Sequence, residues 1–526
     1  MKTIVAGALG ECVHVAGITN FLKLAETAGW RTVFLGPAVP IETFLDVVRR
    51  ENADLVGISY RLTPETGERL LGEFAEAADE LHSQGVRFVF GGTPPVAKKA
   101  QSLQFFEQIF DGTDSPDFVL SYLTGGSTGE HTVEDFPRST IERIKWKAPY
   151  PLIRHHFGLP TLKDTIEGIS IIAESSYIDV ISLGTDQDAQ ENFFHQERQN
   201  PRRRGAGGVP VRTPEDFRDL KKASMKGNFP LMRTYSGTDD FLLLAEMFIE
   251  TIDNAWAAIP LYWFNRMDGR GPWELEGSIR EHQKLMSWYG QRNIPVEVNE
   301  PHHWGMRDAT DVVFTVAAYL SAYNARACGV KDYIAQLMFN SPPGLSDSMD
   351  LAKMLAILDM IKPLAGPDFR VWRETRSGLL SYPIDTDAAR AHLSASIYLQ
   401  MALRPHIVHV VGYTEADHAA TATEVIESCK LARRSIQNGL GQPDMTYDPL
   451  IQERKKQLIN ESNEMIKLIM SLAPDGVTDP LANATTLTNA VTRGILDAPQ
   501  LINNPFAKGK IRTHIDKRGA CVTIPQ

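Results

Sequence analysis

From Thr3 to Gly92 the chain alternates short apolar runs with helical patterns, and this alternation restricts the fold more than any other feature. Thr3-Ile4-Val5-Ala6-Gly7-Ala8-Leu9 is apolar almost throughout, as a strand covered on both faces must be. It runs through Glu11-Cys12-Val13-His14-Val15-Ala16-Gly17 into a helical pattern carried by Ile18, Phe21, Leu22, Leu24 and Ala25, with Gly17 expected to ease the turn. Strands are predicted again at Thr32–Gly36, Ala53–Ser59 and Val86–Phe90, with a helix near Ile41–Arg50 and a longer one from Glu65 to His82. Pro64 and Gly85 punctuate the long helix at its two ends. Strand and helix in this rhythm predict an α/β domain with a doubly wound parallel sheet.

The ends of three of these strands carry chemistry. The first is followed by His14, the third ends in Ser59-Tyr60-Arg61-Leu62, and the fourth ends in Gly91-Gly92-Thr93. Ligands of open parallel sheets lie at the carboxyl ends of the strands, so these three groups would face one ligand. The pattern resembles the flavodoxin-like cobalamin-binding domain of adenosylcobalamin mutases and methionine synthase, whose motif is Asp-x-His-x-x-Gly, then Ser-x-Leu, then Gly-Gly. The resemblance implies that His14 is the metal ligand, beneath cobalt, and that Gly17 is the turn. It implies that Ser59 and Leu62 contact the nucleotide tail and that Gly91 and Gly92 floor its slot. Cys12 stands where the family has its aspartate, among the cofactor contacts, which leaves Glu11 or a backbone carbonyl to orient the imidazole.

Thr124-Gly125-Gly126-Ser127-Thr128-Gly129-Glu130-His131 is polar and glycine-rich and marks the clearest boundary in the chain. The expected organisation is a cobalamin-binding domain over 1–125, a linker over 126–145, a barrel over 146–455 and a C-terminal extension over 456–526. Beyond the linker, short apolar strands recur at Val180–Leu183, Pro230–Met232, Ile259–Tyr262, Pro295–Val298 and His406–Val411, between helical patterns. That rhythm suits a (β/α)8 TIM barrel.

From about Trp273 to Ile361 the chain resembles the large catalytic subunit of glutamate mutase (methylaspartate mutase). The residues that carry the likeness are Glu276-Gly277-Ser278-Ile279-Arg280, Met286-Ser287-Trp288-Tyr289, Val298-Asn299-Glu300-Pro301 and Ala325-Arg326-Ala327-Cys328-Gly329-Val330-Lys331. That family grips a dicarboxylate with three arginine forks. Arg154 and Arg233 match two of them, and Gln190 falls at the third, so all three are implied substrate contacts. The segment that supplies the family's carboxylate for the substrate amino group reads Ala257-Ala258-Ile259-Pro260-Leu261-Tyr262-Trp263-Phe264, with no acid. Glu415 matches a cofactor-side glutamate and is the implied catalytic residue, while the preceding lysine position holds Val411. The resemblance therefore implies an adenosylcobalamin-dependent radical mutase, a homodimer through its barrels, acting on a small carboxylic or amino acid less charged than glutamate. A corrinoid methyltransferase and a non-catalytic cobalamin binder are the alternatives.

Among 526 residues the formal charge is −11, which argues against nucleic acid as a partner. Cys12, Cys328, Cys429 and Cys521 are scattered, without CxxC spacing, as expected in a reducing cytoplasm. No apolar run reaches membrane-spanning length. His302-His303 is read as a loop or substrate contact, its two side chains on opposite faces of an extended segment. Arg202-Arg203-Arg204-Gly205-Ala206-Gly207-Gly208 is read as a solvated loop, since it lacks the terminal Lys-Ser/Thr of a phosphate loop.

Overall fold

A computed structural model describes residues 2–112, 114, 116–124 and 132–524, and in it the chain divides into two compact units, 1–131 and 132–526. The glycine-rich stretch 125–131 lies outside the described residues.

The first unit is a five-stranded parallel sheet of order β2-β1-β3-β4-β5, built from β1 (Thr3–Ala8), β2 (Arg31–Phe34), β3 (Leu55–Tyr60), β4 (Arg87–Gly92) and β5 (Gln108–Phe110). Helices α1 (Ala16–Thr27) and α5 (Pro116–Leu123) share one cluster of buried residues with the sheet. A second, larger cluster takes in α2 (Ile41–Arg50), α3 (Pro64–Ser83) and α4 (Pro94–Ser102). β1 and β3 are buried at every position, which explains their unbroken apolar sequence. This is the flavodoxin-like order, with its switch point between β1 and β3.

The second unit is a TIM barrel. Its eight parallel strands are β6 (Leu152–Phe157), β7 (Val180–Leu183), β8 (Leu231–Arg233), β9 (Ala257–Ile259), β10 (Val296–Val298), β11 (Asp332–Phe339), β12 (Arg370–Ser377) and β13 (Ile407–Val410). Each strand neighbours the next in the chain, and β13 pairs back onto β6 with Ile407 opposite Leu152. Closure between β8 and β9 comes from Ala255 N donating to Met232 O at 2.8 Å and Ser236 N donating to Ala258 O at 3.3 Å.

The barrel interior is layered because alternate strand residues point inward. Leu152, Val180, Leu231, Trp256, Ile334 and Ile407 form an apolar layer near the amino ends of the strands, joined by Ile144 of the helix Thr140–Lys147. Arg143 of that helix donates to the carbonyls of Pro137 (2.8 Å), Asn228 (3.1 Å) and Phe229 (3.1 Å), and Thr140 Oγ1 donates to Ala255 O at 2.7 Å. The described part of the segment read from sequence as linker, 132–145, thus packs against the base of the barrel. At the other boundary, one helix runs unbroken over Pro449–Met470, across the position where the sequence places the start of the extension. No described helix is long and apolar enough to cross a membrane.

Candidate functional site

In the first unit, the residues singled out from sequence converge on a cavity of about 480 Å³. One wall is helix α1, through Ala16, Gly17, Asn20, Phe21 and Leu24. The other is the sheet, through Gly57, Ile58 and Ser59 of β3 and Val89, Phe90, Gly91 and Gly92 of β4. Asp111, Asp114 and Val119 line it from the β5–α5 side. Burial raises the pKa of the Asp114 carboxyl, while the amide of Asp111 donates to it at 3.3 Å and partly offsets that rise. His14 lines the cavity and is itself exposed to solvent.

The glycines divide the work differently from the expected pattern. A Cβ placed on Gly91 or on Gly17 would meet no protein atom within 4 Å, and both residues line the cavity. Gly17 lies within α1 and has no left-handed backbone, so what its missing side chain provides is space and not a tight turn. Gly92 is different: a Cβ there would sit 2.6 Å from Tyr60 O and 2.7 Å from the Phe90 ring. Its glycine is demanded by packing.

Two residues sit apart from the cavity. Cys12 is fully buried among Val5, Ala8, Leu9 and Val39, where a small apolar thiol packs well. Leu62 is 38% exposed and does not line the cavity, whereas Arg61 does, because β3 ends at Tyr60 and Leu62 falls in the turn beyond it.

In the barrel, a charged layer lies directly above the apolar one. Arg154 of β6 donates through Nε to Ser182 Oγ (2.7 Å) and through Nη1 to Glu297 Oε2 (3.1 Å) and to Glu374. Arg233 of β8 donates through Nη1 to the same Ser182 Oγ (3.2 Å), and its Nη2 lies 3.4 Å from Glu297 Oε2. Glu297 also accepts from Trp256 Nε1 and Gln336 Nε2, each at 2.8 Å. Burial pushes Glu374 up to about 7, while the guanidiniums beside Glu297 hold its carboxylate below the usual range. Both arginines expected to grip substrate are therefore committed to carboxylates of the chain itself. Gln190 is held elsewhere, its Nε2 donating to Thr185 O at 2.8 Å. Glu415 follows β13 in an exposed position, with its pKa raised by desolvation and lowered by Arg376.

Beyond the charged layer, toward the carboxyl ends of the strands, stand His156, Tyr235, Arg376 and His409. His156 Nε2 is 3.1 Å from Tyr235 Oη and 3.3 Å from Arg154 Nη2, and its ring centroid is 4.8 Å from that of His409. Burial and the nearby arginine charges hold both imidazoles well below their ordinary pKa, so both are neutral. His302 and His303 lie on a short helix, Glu300–Gly305, and not in an extended segment. Both are buried, their ring centroids 4.0 Å apart. Glu300, pushed up to about 7 by burial, accepts from the amides of Leu261 (2.8 Å) and Tyr262 (3.0 Å) and from Trp304 Nε1 (2.8 Å). Among the described residues no group of three or more His, Cys, Asp or Glu is placed to hold a metal ion.

The arginine-rich segment is not a free loop. Arg203 pairs with Asp188 (2.5 Å) and Glu191 (3.1 Å), and Gly205 N donates to Asp186 Oδ2 at 3.0 Å. Sequence reasoning passed over Glu297, Glu374, Arg376, His156 and His409. The signal available was the pair Glu374 and Arg376, two positions apart and so on one face of β12.

A family model for the B12 binding domain matches residues 2–115, and this part of the chain is a B12-binding domain. Among solved structures, a novel cobalamin-binding protein from Desulfitobacterium hafniense DCB-2 matches at 24% identity with a TM-score of 0.20. That match takes in 22% of this chain and 55% of the other, so the chain spans about half of that protein's length. The YdjI aldolase from Escherichia coli K12 matches at 15% identity, over 61% of this chain and 91% of its own, with a TM-score of 0.28. A 2,3-dimethylmalate lyase of the PEP mutase/isocitrate lyase superfamily matches at 12% identity, over 64% and 98%, with a TM-score of 0.29.

Proposed function

We propose that this chain is an adenosylcobalamin-dependent carbon-skeleton mutase acting on a carboxylic or amino acid that carries less charge than glutamate. The observation that carries the reading is the joining, in one chain, of a B12-binding domain with a TIM barrel that buries charged and neutral polar groups at the ends of its strands. Bound adenosylcobalamin supplies a carbon radical through cleavage of its cobalt–carbon bond.

The residues of the slot fit such a group. Gly91 and Gly17 leave space that any side chain would fill, Ser59 offers a hydroxyl to a polar tail, and the solvent-exposed imidazole of His14 is available to cobalt. In the barrel, the dry ionic layer of Arg154, Arg233, Glu297 and Glu374 forms a rigid floor. Polar groups fixed in a water-excluded site orient a substrate and cost no reorganisation during reaction. Glu415 would stand at the cofactor side.

The test loads the full chain with adenosylcobalamin and adds a panel of amino, hydroxy and acyl acids. A paramagnetic signal that appears only with one class of acid, and rearranged product from that acid, is the expected result. Methyl transfer from methylcobalamin without any such signal, or cofactor binding with no turnover of any acid, would refute the mutase reading.

A further inference from the structure

Inside the barrel strands, one buried guanidinium is left without an ion pair among the described residues. Three guanidiniums, Arg154, Arg233 and Arg376, face two carboxylates, Glu297 and Glu374, all at 5% exposure or less. The two carboxylates lie against Arg154 and Arg233. Arg376 forms no ion pair among the described residues, and its one hydrogen bond to protein runs from Nε to the carbonyl of Ser377 at 3.4 Å. A buried charge with no partner is strongly destabilising. Arginine does not escape that cost by losing its proton.

The carboxylates near Arg376 are Glu374, which Arg154 holds, and Glu415, which stands in an exposed position; the remaining neighbours include neutral imidazoles. The charge of Arg376 contributes to the depressed pKa of His156, His302, His303 and His409, which places it in the field of all four rings. Among the described residues, His302 Nδ1, both ring nitrogens of His303, and His409 Nδ1 are buried without hydrogen-bond partners. Buried polar atoms are normally satisfied, so a cluster of orphans marks a place where a ligand completes the set. The carboxylates that an ammonium group could meet are engaged or exposed: Glu300 is turned to the backbone amides of Leu261 and Tyr262, Glu374 is paired with Arg154, and Glu415 is exposed.

We propose that Arg376 is the anchor for the substrate carboxylate, and that the substrate is a monocarboxylic acid whose other groups are uncharged. This rests on the barrel being the substrate site of the proposed function. The two-nitrogen edge of the guanidinium takes the carboxylate, and the unpartnered imidazoles take a hydroxyl or carbonyl oxygen further along the molecule. Among the described residues a second carboxylate would have only Arg307, whose Nη1 already donates to His303 O at 2.9 Å and whose guanidinium lies over the Trp263 ring. An amino group would have only carboxylates that are engaged or exposed.

The experiment measures the thermal midpoint of the full chain, without cobalamin, against butanoate, 3-hydroxybutanoate, 2-aminobutanoate, glutarate and butanamide. Butanoate and 3-hydroxybutanoate are expected to raise the midpoint of the wild type, since a ligand of the native state stabilises it. In Arg376→Met that shift vanishes, while the midpoint without ligand is no lower than wild type because an unpaired buried charge has been removed. In Arg376→Lys the apparent affinity falls about tenfold, the loss of one fork contact. Should Arg376→Met fail to fold, Arg376→Lys alone decides. Equal shifts in wild type and variants, no shift with either monocarboxylate, or a larger shift with glutarate or 2-aminobutanoate would overturn the proposal. Because no cofactor is present, the outcome is separate from the mutase test: acid binding that depends on Arg376, with no paramagnetic signal from the loaded protein, would keep the anchor and reject the mutase.

Discussion

Arg154 and Arg233 meet on a single hydroxyl, Ser182 Oγ, at 2.7 Å from one and 3.2 Å from the other. Two guanidiniums can lie this close in a dry interior only with an anion between them, and Glu297 Oε2, at 3.1 and 3.4 Å, is that anion. The pair expected to hold substrate is held instead by the protein. Glu297→Gln should therefore cost ~3–5 kcal/mol, the penalty of leaving a buried charge without its partner. Urea unfolding of the full chain measures it. A loss under about 1 kcal/mol, the worth of an exposed pair, would mean that solvent reaches these groups.

The two glycines that end β4 should respond in opposite ways. Gly91→Val places its side chain into open space lining the slot, on a backbone that accommodates an L residue. Its stability should match wild type, while cobalamin affinity falls at least ~100-fold, equivalent to ~2.7 kcal/mol. Gly92→Ala drives a methyl group into Tyr60 O and the Phe90 ring, so it should lose ~1–3 kcal/mol of stability. Spectroscopic titration with cobalamin and parallel thermal melts separate the two effects. A Gly91→Val protein that binds normally would show that the tail does not occupy this slot.

Buried histidines should make the chain labile to mild acid. His155, His282 and His406 are pushed down to about 4, and His156, His302, His303 and His409 well below their ordinary value, chiefly by burial. Unfolding frees each imidazole to take a proton below about pH 6.5, so the unfolded state binds more protons and stability falls as pH drops from 6.5 toward 4. Glu300, raised to about 7, works against this trend: it is protonated in the fold before the unfolded chain, and adds stability as pH falls from 7 toward its ordinary 4.5. Glu300→Gln should therefore steepen the acid loss. Denaturation midpoints at pH 7.5, 6.5 and 5.5 check the sign. A variant with a shallower profile than wild type would contradict it.

The parallel sheet was legible because a strand buried on both faces writes itself as an uninterrupted apolar run, as β1 and β3 do. The slot residues were legible because His14, Ser59 and Gly91 fall at strand ends whatever the exact register. β12 was not. Arg370-Val371-Trp372-Arg373-Glu374-Thr375-Arg376-Ser377 carries four charges in eight positions and reads as solvated surface, yet Glu374 and Arg376 point into the barrel. The burial of Glu374 is made tolerable by Arg154 on β6, far away in sequence, and no local pattern encodes that partnership. The same distance hid the fate of Arg154: one sequence position cannot reveal that two carboxylates from β10 and β12 claim it.

The segment before the barrel offers a last contrast. Read as sequence, the stretch up to residue 145 looks like the tail of a linker, polar and rich in charge. In the fold, Arg143 is buried and spends its guanidinium on three carbonyls, two of them at the turn entering β8. Lys145, two residues on, is exposed. Arg143→Ala strands those carbonyls at ~1–3 kcal/mol for each that water cannot reach, and should lower stability by a total of ~2–4 kcal/mol. Lys145→Ala should change it by less than ~0.5 kcal/mol, as exposed substitutions do. If the segment were only a tether, both substitutions would be silent. Chemical denaturation of the two variants, followed by tryptophan fluorescence from the barrel base, where Trp256 lies in the same buried cluster as Ile144, decides between tether and plug.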